Sequence, residues 1–139
     1  MQVWLHWRHR PPNRCDSGYL RLMETLINAL NTLPVSAAIL DASGTIVAVN
    51  NTWKEFGRRN GLRIPNWGVG ADYLKYSGDE GLRSARFVRD LRDLLARRLD
   101  LLSAIYPCHS PGQKRWFSLV GVPFPLDKPA GAALLHVNL

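Results

Sequence analysis

From position 18 onward, apolar residues return in regular steps. Leu20, Met23, Leu26, Ile27 and Leu30 lie three or four positions apart, the spacing of one helical face, and predict an amphipathic helix over residues 18–33 that stops at Leu33-Pro34. Residues 36–40 and 45–49 are short runs rich in Val, Ile and Ala. Asp41-Ala42-Ser43-Gly44 between them favours a turn, so the two runs read as an antiparallel hairpin. Asn51 carries a side-chain oxygen able to cap a helix, predicted over residues 52–59, with Trp53 and Phe56 on one face and Asn60-Gly61 as its stop. Pro65, Gly68, Gly70, Gly78 and Gly81 make residues 62–81 an irregular stretch with short helical turns near 71–76. The next stripe, Leu82, Ala85, Val88, Leu91, Leu95 and Leu99, predicts a long helix over residues 82–100. Three β-rich runs follow at 101–108, 116–122 and 130–137, the first two joined across Pro111-Gly112. Residues 1–17 mix Trp4, Trp7, His, Arg and Pro11-Pro12 without a period, and are expected to form a flexible basic arm.

The order is therefore helix, two strands, helices, three strands. Five strands split two and three around a helical block resemble the PAS fold. The stretch Ala38-Ile-Leu-Asp-Ala-Ser-Gly-Thr-Ile-Val-Ala-Val-Asn50 is similar to its first hairpin, with the Asn that often ends it, and Asn51-Thr-Trp-Lys-Glu-Phe56 to the helix after it. Trp116-Phe-Ser-Leu-Val-Gly-Val-Pro123 resembles the fourth strand, and residues 131–139 resemble the fifth, closing on His136-Val-Asn-Leu139 where family members commonly read Asp-Ile-Thr. The resemblance covers residues 33–139. It implies an α+β domain: a five-stranded antiparallel sheet with helices on one face, here as residues 34–139, preceded by a flanking helix at 18–33 and the arm at 1–17. With nothing after Leu139, it also implies an effector that has been removed or lies on another chain.

Composition narrows the class. At 139 residues the chain suffices for one domain, and 46% hydrophobic beside 21% charged residues lets it bury a core of its own. No apolar run approaches the roughly 20 residues that span a bilayer, and the first residues lack the apolar stretch of a signal peptide, so a cytoplasmic chain without membrane contact is expected. Cys15 and Cys108 are only two thiols, and both are expected to stay reduced. A formal charge of +7 raises nucleic acid as a partner. Six arginines of the long helical segment are interleaved with Asp90, Asp93 and Asp100, however, and Arg86 with Asp90 or Arg89 with Asp93 stand at helical pairing distance. The pattern reads as a solvated face and makes nucleic acid an unfavoured partner.

Specific chemistry is sparse. Haem-binding PAS domains usually take an axial His from the long central helix, and residues 82–100 contain none; His109 and His136 lie on or beside strands, where a hydrogen-bonded structural role is expected. The flavin-binding light sensors use an Asn-Cys-Arg-Phe type segment, which does not occur here. The cofactor is thus left unknown, with no specific haem or flavin motif. Cys108-His109 point to opposite faces of an extended strand, and His6, His9 and Cys15 sit in the arm, so no metal site is expected. Gly68-Val-Gly70 is half a dinucleotide fingerprint in the wrong context, and no nucleophile motif appears, so no catalytic residues and no enzyme activity are expected.

What remains is an apolar and aromatic interior. Trp53, Phe56, Tyr73, Phe87, Leu91, Tyr106, Phe117 and Leu135 are the candidates for the space between sheet and helices, where they either line a ligand cavity or fill it themselves. The resemblance implies a sensory or regulatory module that binds a small ligand or a protein partner and signals to an attached or partner effector, in signal transduction or transcription regulation. The alternatives are a basic nucleic-acid-binding protein and, below it, a haem-based gas or redox sensor. A homodimer is expected through Leu20, Met23, Leu26, Ile27 and Leu30, in competition with that helix folding back on its own sheet.

Overall fold

The computed structural model describes residues 17–61, 64–76, 85–107 and 112–139. Residues 1–16 of the expected arm, including Cys15, lie outside them, as do Leu82, Cys108 and His109, and Ser17 begins the first helix. The elements are α1 (Ser17–Leu30), β1 (Val35–Asp41), β2 (Ile46–Val49), α2 (Asn51–Arg59), a 3-10 turn (Pro65–Gly68), α3 (Tyr73–Tyr76), α4 (Ala85–Leu95), β3 (Leu102–Pro107), β4 (Trp116–Phe124) and β5 (Gly131–Asn138). The strands form one antiparallel sheet in the order β2-β1-β5-β4-β3, so the last strand sits at the centre beside the first. The expected element order holds.

Strand periodicity divides the side chains between two faces. Ala38, Leu40, Leu102, Tyr106, Phe117, Leu119, Ala132 and Leu134 turn inward and form one core with Phe87, Leu91 and Leu94 of α4, with Trp53 and Phe56 of α2 packed against it. The buried row of α4 is Phe87-Leu91-Leu94, whereas Ala85 of the predicted stripe is exposed and Leu95 half-buried. Both rows share Leu91 and have helical spacing, so periodicity alone could not choose between them. The helix also ends at Leu95, before the predicted Leu99: Arg97 takes a left-handed φ of 63° and donates from Nη2 to the Pro129 carbonyl at 2.9 Å.

α1 lies on the opposite face of the sheet. The Tyr19 ring packs on Phe124 at 6.2 Å, Tyr19 and Leu30 are buried, and Met23, Leu26 and Ile27 are half-buried, while Leu20 is exposed. The stripe is therefore rotated from Leu20 toward Tyr19. This is the fold-back arrangement of the flanking helix.

Asn50, fully buried, joins these pieces. Its Oδ1 accepts from the backbone N–H of Ala37 at 2.9 Å and of Trp53 at 3.0 Å, while its Nδ2 donates to the Val35 carbonyl at 2.7 Å. Asn50, not the predicted Asn51, is thus the cap of α2. The backbone N–H of Asn51 instead donates to Asn31 Oδ1 at 2.7 Å.

Candidate functional site

Strand pairing sets the geometry of the inner face. Tyr106 on β3 pairs with Phe117 on β4, and His136 on β5 pairs with Leu119, two residues further along β4. Period two turns all of these side chains toward the helices, so Tyr106 and His136 reach each other diagonally across the intervening strand. The Tyr106 hydroxyl lies 2.6 Å from His136 Nδ1.

Tyr73 arrives from the irregular stretch. Residues 69–72 attach to the free edge of β2: the N–H of Gly70 donates to the Ile46 carbonyl at 2.7 Å, that of Ile46 to the Ala71 carbonyl at 2.8 Å, and Asp72 bridges to Thr45. The Tyr73 N–H then donates to the Gly44 carbonyl at 3.0 Å, which fixes the start of α3. From there the Tyr73 hydroxyl stands 3.4 Å from His136 Nε2, and the Trp53 ring meets His136 at an edge, centroids 5.8 Å apart. The approach is held by a strained turn. Asn66 and Trp67 adopt φ of 55° and 59°, a conformation that costs side chains about 1–3 kcal/mol, and Trp53 Nε1 donates to the Trp67 carbonyl at 2.9 Å. Arg58 lies over the Trp67 ring at 5.5 Å.

Tyr73, His136 and Tyr106 are all buried. Burial lowers the His136 pKa to about 4, and burial, with a smaller effect of nearby Tyr106, raises that of Tyr73. The imidazole is therefore neutral, with one nitrogen donating and the other accepting. Two arrangements satisfy both tyrosines: Tyr106 donates to Nδ1 while Nε2–H donates to Tyr73, or the reverse. The two arrangements are the two neutral tautomers of one hydrogen-bonded relay, and neither leaves a charge in the core.

The remaining candidates surround it. Phe117 stacks on Tyr106 at 5.6 Å and takes the edge of Phe56 at 5.4 Å, and Phe87 and Leu91 close the core from α4. Leu135 is the exception: its neighbours Leu134 and His136 point inward, so Leu135 falls on the α1 face and lines no part of this site. On α4, Arg86 pairs with Asp90 at 3.7 Å, but Asp93 pairs with Arg98 at 2.8 Å instead of with Arg89. Among the described residues no group of three His, Cys, Asp or Glu side chains is placed to hold a metal, and no helix is long and apolar enough to cross a membrane.

No family model matches the chain. A Rhodobacter capsulatus protein described as an uncharacterized 104.1 kDa protein in the hypE 3' region is 32% identical over 131 residues, which cover 89% of this chain and 14% of that protein. The chain thus spans 14% of the length of the curated relative it matches. Among solved structures, the RsLOV d2 variant superposes with a TM-score of 0.62 at 18% identity, covering 89% of this chain and 68% of that one. The PAS domain of Bordetella pertussis BvgS gives 0.57 at 12% identity, covering 84% and 85%. The photoactive yellow protein domain of the sensor histidine kinase Ppr from Rhodospirillum centenum gives 0.56 at 19%, covering 84% and 96%.

Proposed function

The chain has the PAS fold, and from that premise we propose that it is a sensory or regulatory module, one that binds a small ligand or a protein partner and passes the change to an effector. The observation that carries this reading is the Tyr73–His136–Tyr106 cluster. Apolar side chains fill such a space without desolvating polar groups, so three ionisable groups here are costly as mere filling. They also come from three elements. A rearrangement of their hydrogen bonds moves α3 against β3 and β5, and β5 is the strand shared by β1 and β4, whose other face carries α1. The core thereby has a mechanical route to the far side of the sheet.

Similarity to a domain of a sensor histidine kinase, and to one segment of a much longer Rhodobacter capsulatus protein, supports an effector of kinase type or another output carried elsewhere. The module acts as a homodimer in this reading and has no catalytic step. Haem gains little support, since both ring nitrogens of His136 face tyrosine hydroxyls. Hydrogen–deuterium exchange of the unmodified chain and of Tyr106→Phe tests the coupling. Removing one hydroxyl should speed exchange in α1 as well as in β3 and β5. Changes confined to β3 and β5 would mean that the cluster is a local packing feature and that the sheet transmits nothing.

A further inference from the structure

The side of α4 turned away from the sheet has chemistry of its own. With Phe87, Leu91 and Leu94 buried, Ala85, Val88, Arg89 and Arg92 occupy the outer side, and together with Asp93 and Arg98 they line an open groove of about 400 Å³. Its cations are unevenly matched. Arg98 is bonded to Asp93 at 2.8 Å, Arg89 reaches only Asp90, at 3.8 Å, and Arg92 has no ion pair or side-chain hydrogen bond among the described residues.

We propose that this groove docks an acidic, amphipathic segment of a partner protein, with carboxylates on Arg92 and Arg89 and an apolar side chain on Val88 and Ala85. An unpaired guanidinium beside a loosely paired one presents planar donors suited to carboxylates, and the chain as a whole carries an excess of seven positive charges. Nucleic acid fits less well: Asp90 and Asp93 interrupt the cations along the helix, and Val88 offers nothing to a phosphodiester. Ala85 to Arg92 is two turns, about 10 Å of helix, which matches a short helical or extended peptide. Because the other side of α4 is locked into the core, an occupant there bears directly on Phe87 and Leu91. This docking is independent of the hydrogen-bond relay and stands on the groove alone.

Fluorescence anisotropy with the full chain decides the matter. The probe is a labelled peptide of roughly three helical turns with Glu and Leu on opposite faces, run beside an all-Glu peptide and a DNA duplex of equal charge. The amphipathic peptide should bind saturably and more tightly than either. Arg92→Glu should weaken it about tenfold, because a charge-assisted pair becomes a repulsion, and Val88→Ser should weaken it while leaving the charge unchanged. Arg21→Glu, on the exposed side of α1, should leave the affinity within about twofold. Equal losses in Arg21→Glu and Arg92→Glu, tighter binding of the duplex or the all-Glu peptide, or no saturable binding would each overturn the proposal.

Discussion

A histidine enclosed by Tyr73, Tyr106 and the edge of Trp53 loses the water that would solvate its cationic form, and its pKa falls from the ordinary 6.5 to about 4. Unfolding returns it to the ordinary value, so between these two pH values the unfolded chain binds more protons than the folded one. Stability from this group is complete above about pH 6.5 and is lost as the pH falls toward 4, a difference of about 3 kcal/mol over the interval. Urea unfolding at a series of pH values should show this slope, and His136→Gln, which retains hydrogen-bonding atoms but does not titrate there, should remove most of it. An unchanged slope in the variant would assign the acid sensitivity to other groups. Protonation also disturbs the relay, because an imidazolium donates from both nitrogens and each tyrosine must then accept.

Elements meet most tightly where β5 passes β1. A Cβ on Gly131 would stand 1.8 Å from the Leu40 carbonyl oxygen, and no side chain can yield there because the obstacle is backbone. Gly131→Ala should therefore force the two central strands apart and cost at least about 3 kcal/mol, measured by chemical denaturation, while a loss below about 1 kcal/mol would show that the strands can shift. At this scale much was legible in advance. Helix spacing, the Asp41–Gly44 turn and the β-rich runs identify the elements, because each depends on neighbours a few residues away. Choices of face and partner were less so. Ala85 and Phe87 begin competing rows on α4, and Leu135 and His136 differ by a single step that exchanges outer for inner face. Asn50 rather than Asn51 caps α2 because Ala37 and Val35 also bind it, which no local pattern reveals. The relay was the least legible feature. It exists only because β3 and β5 flank β4 and because residues 69–72 attach to the edge of β2.

For the molecule as a whole, the face of the sheet opposite the core is only partly covered. α1 lies where Tyr19 meets Phe124, and Ala37 and Ile39 beneath that side are buried. Toward the other edge, Ile105 pairs with Ser118 and Ser118 with Val137, so two apolar side chains flank a serine on one surface, with Trp116 two residues along the same strand. Ile105 is 67% exposed, Trp116 50% and Val137 37%, and Leu22 of α1 adds an exposure of 49%. Such a surface favours association, and a two-fold pairing would cover it with its own copy, since an isologous interface uses one patch twice. This surface contains none of the residues of the expected stripe Leu20, Met23, Leu26, Ile27 and Leu30, and Leu30 belongs to the fold, so charging it would unfold the domain as readily as separate two chains. Light scattering at high micromolar concentration should give twice the chain mass for the unmodified protein. Ile105→Asp combined with Trp116→Glu should halve that mass while circular dichroism stays unchanged. A monomeric mass for the unmodified chain, or a dimer that persists in the double variant, would remove this face from the assembly.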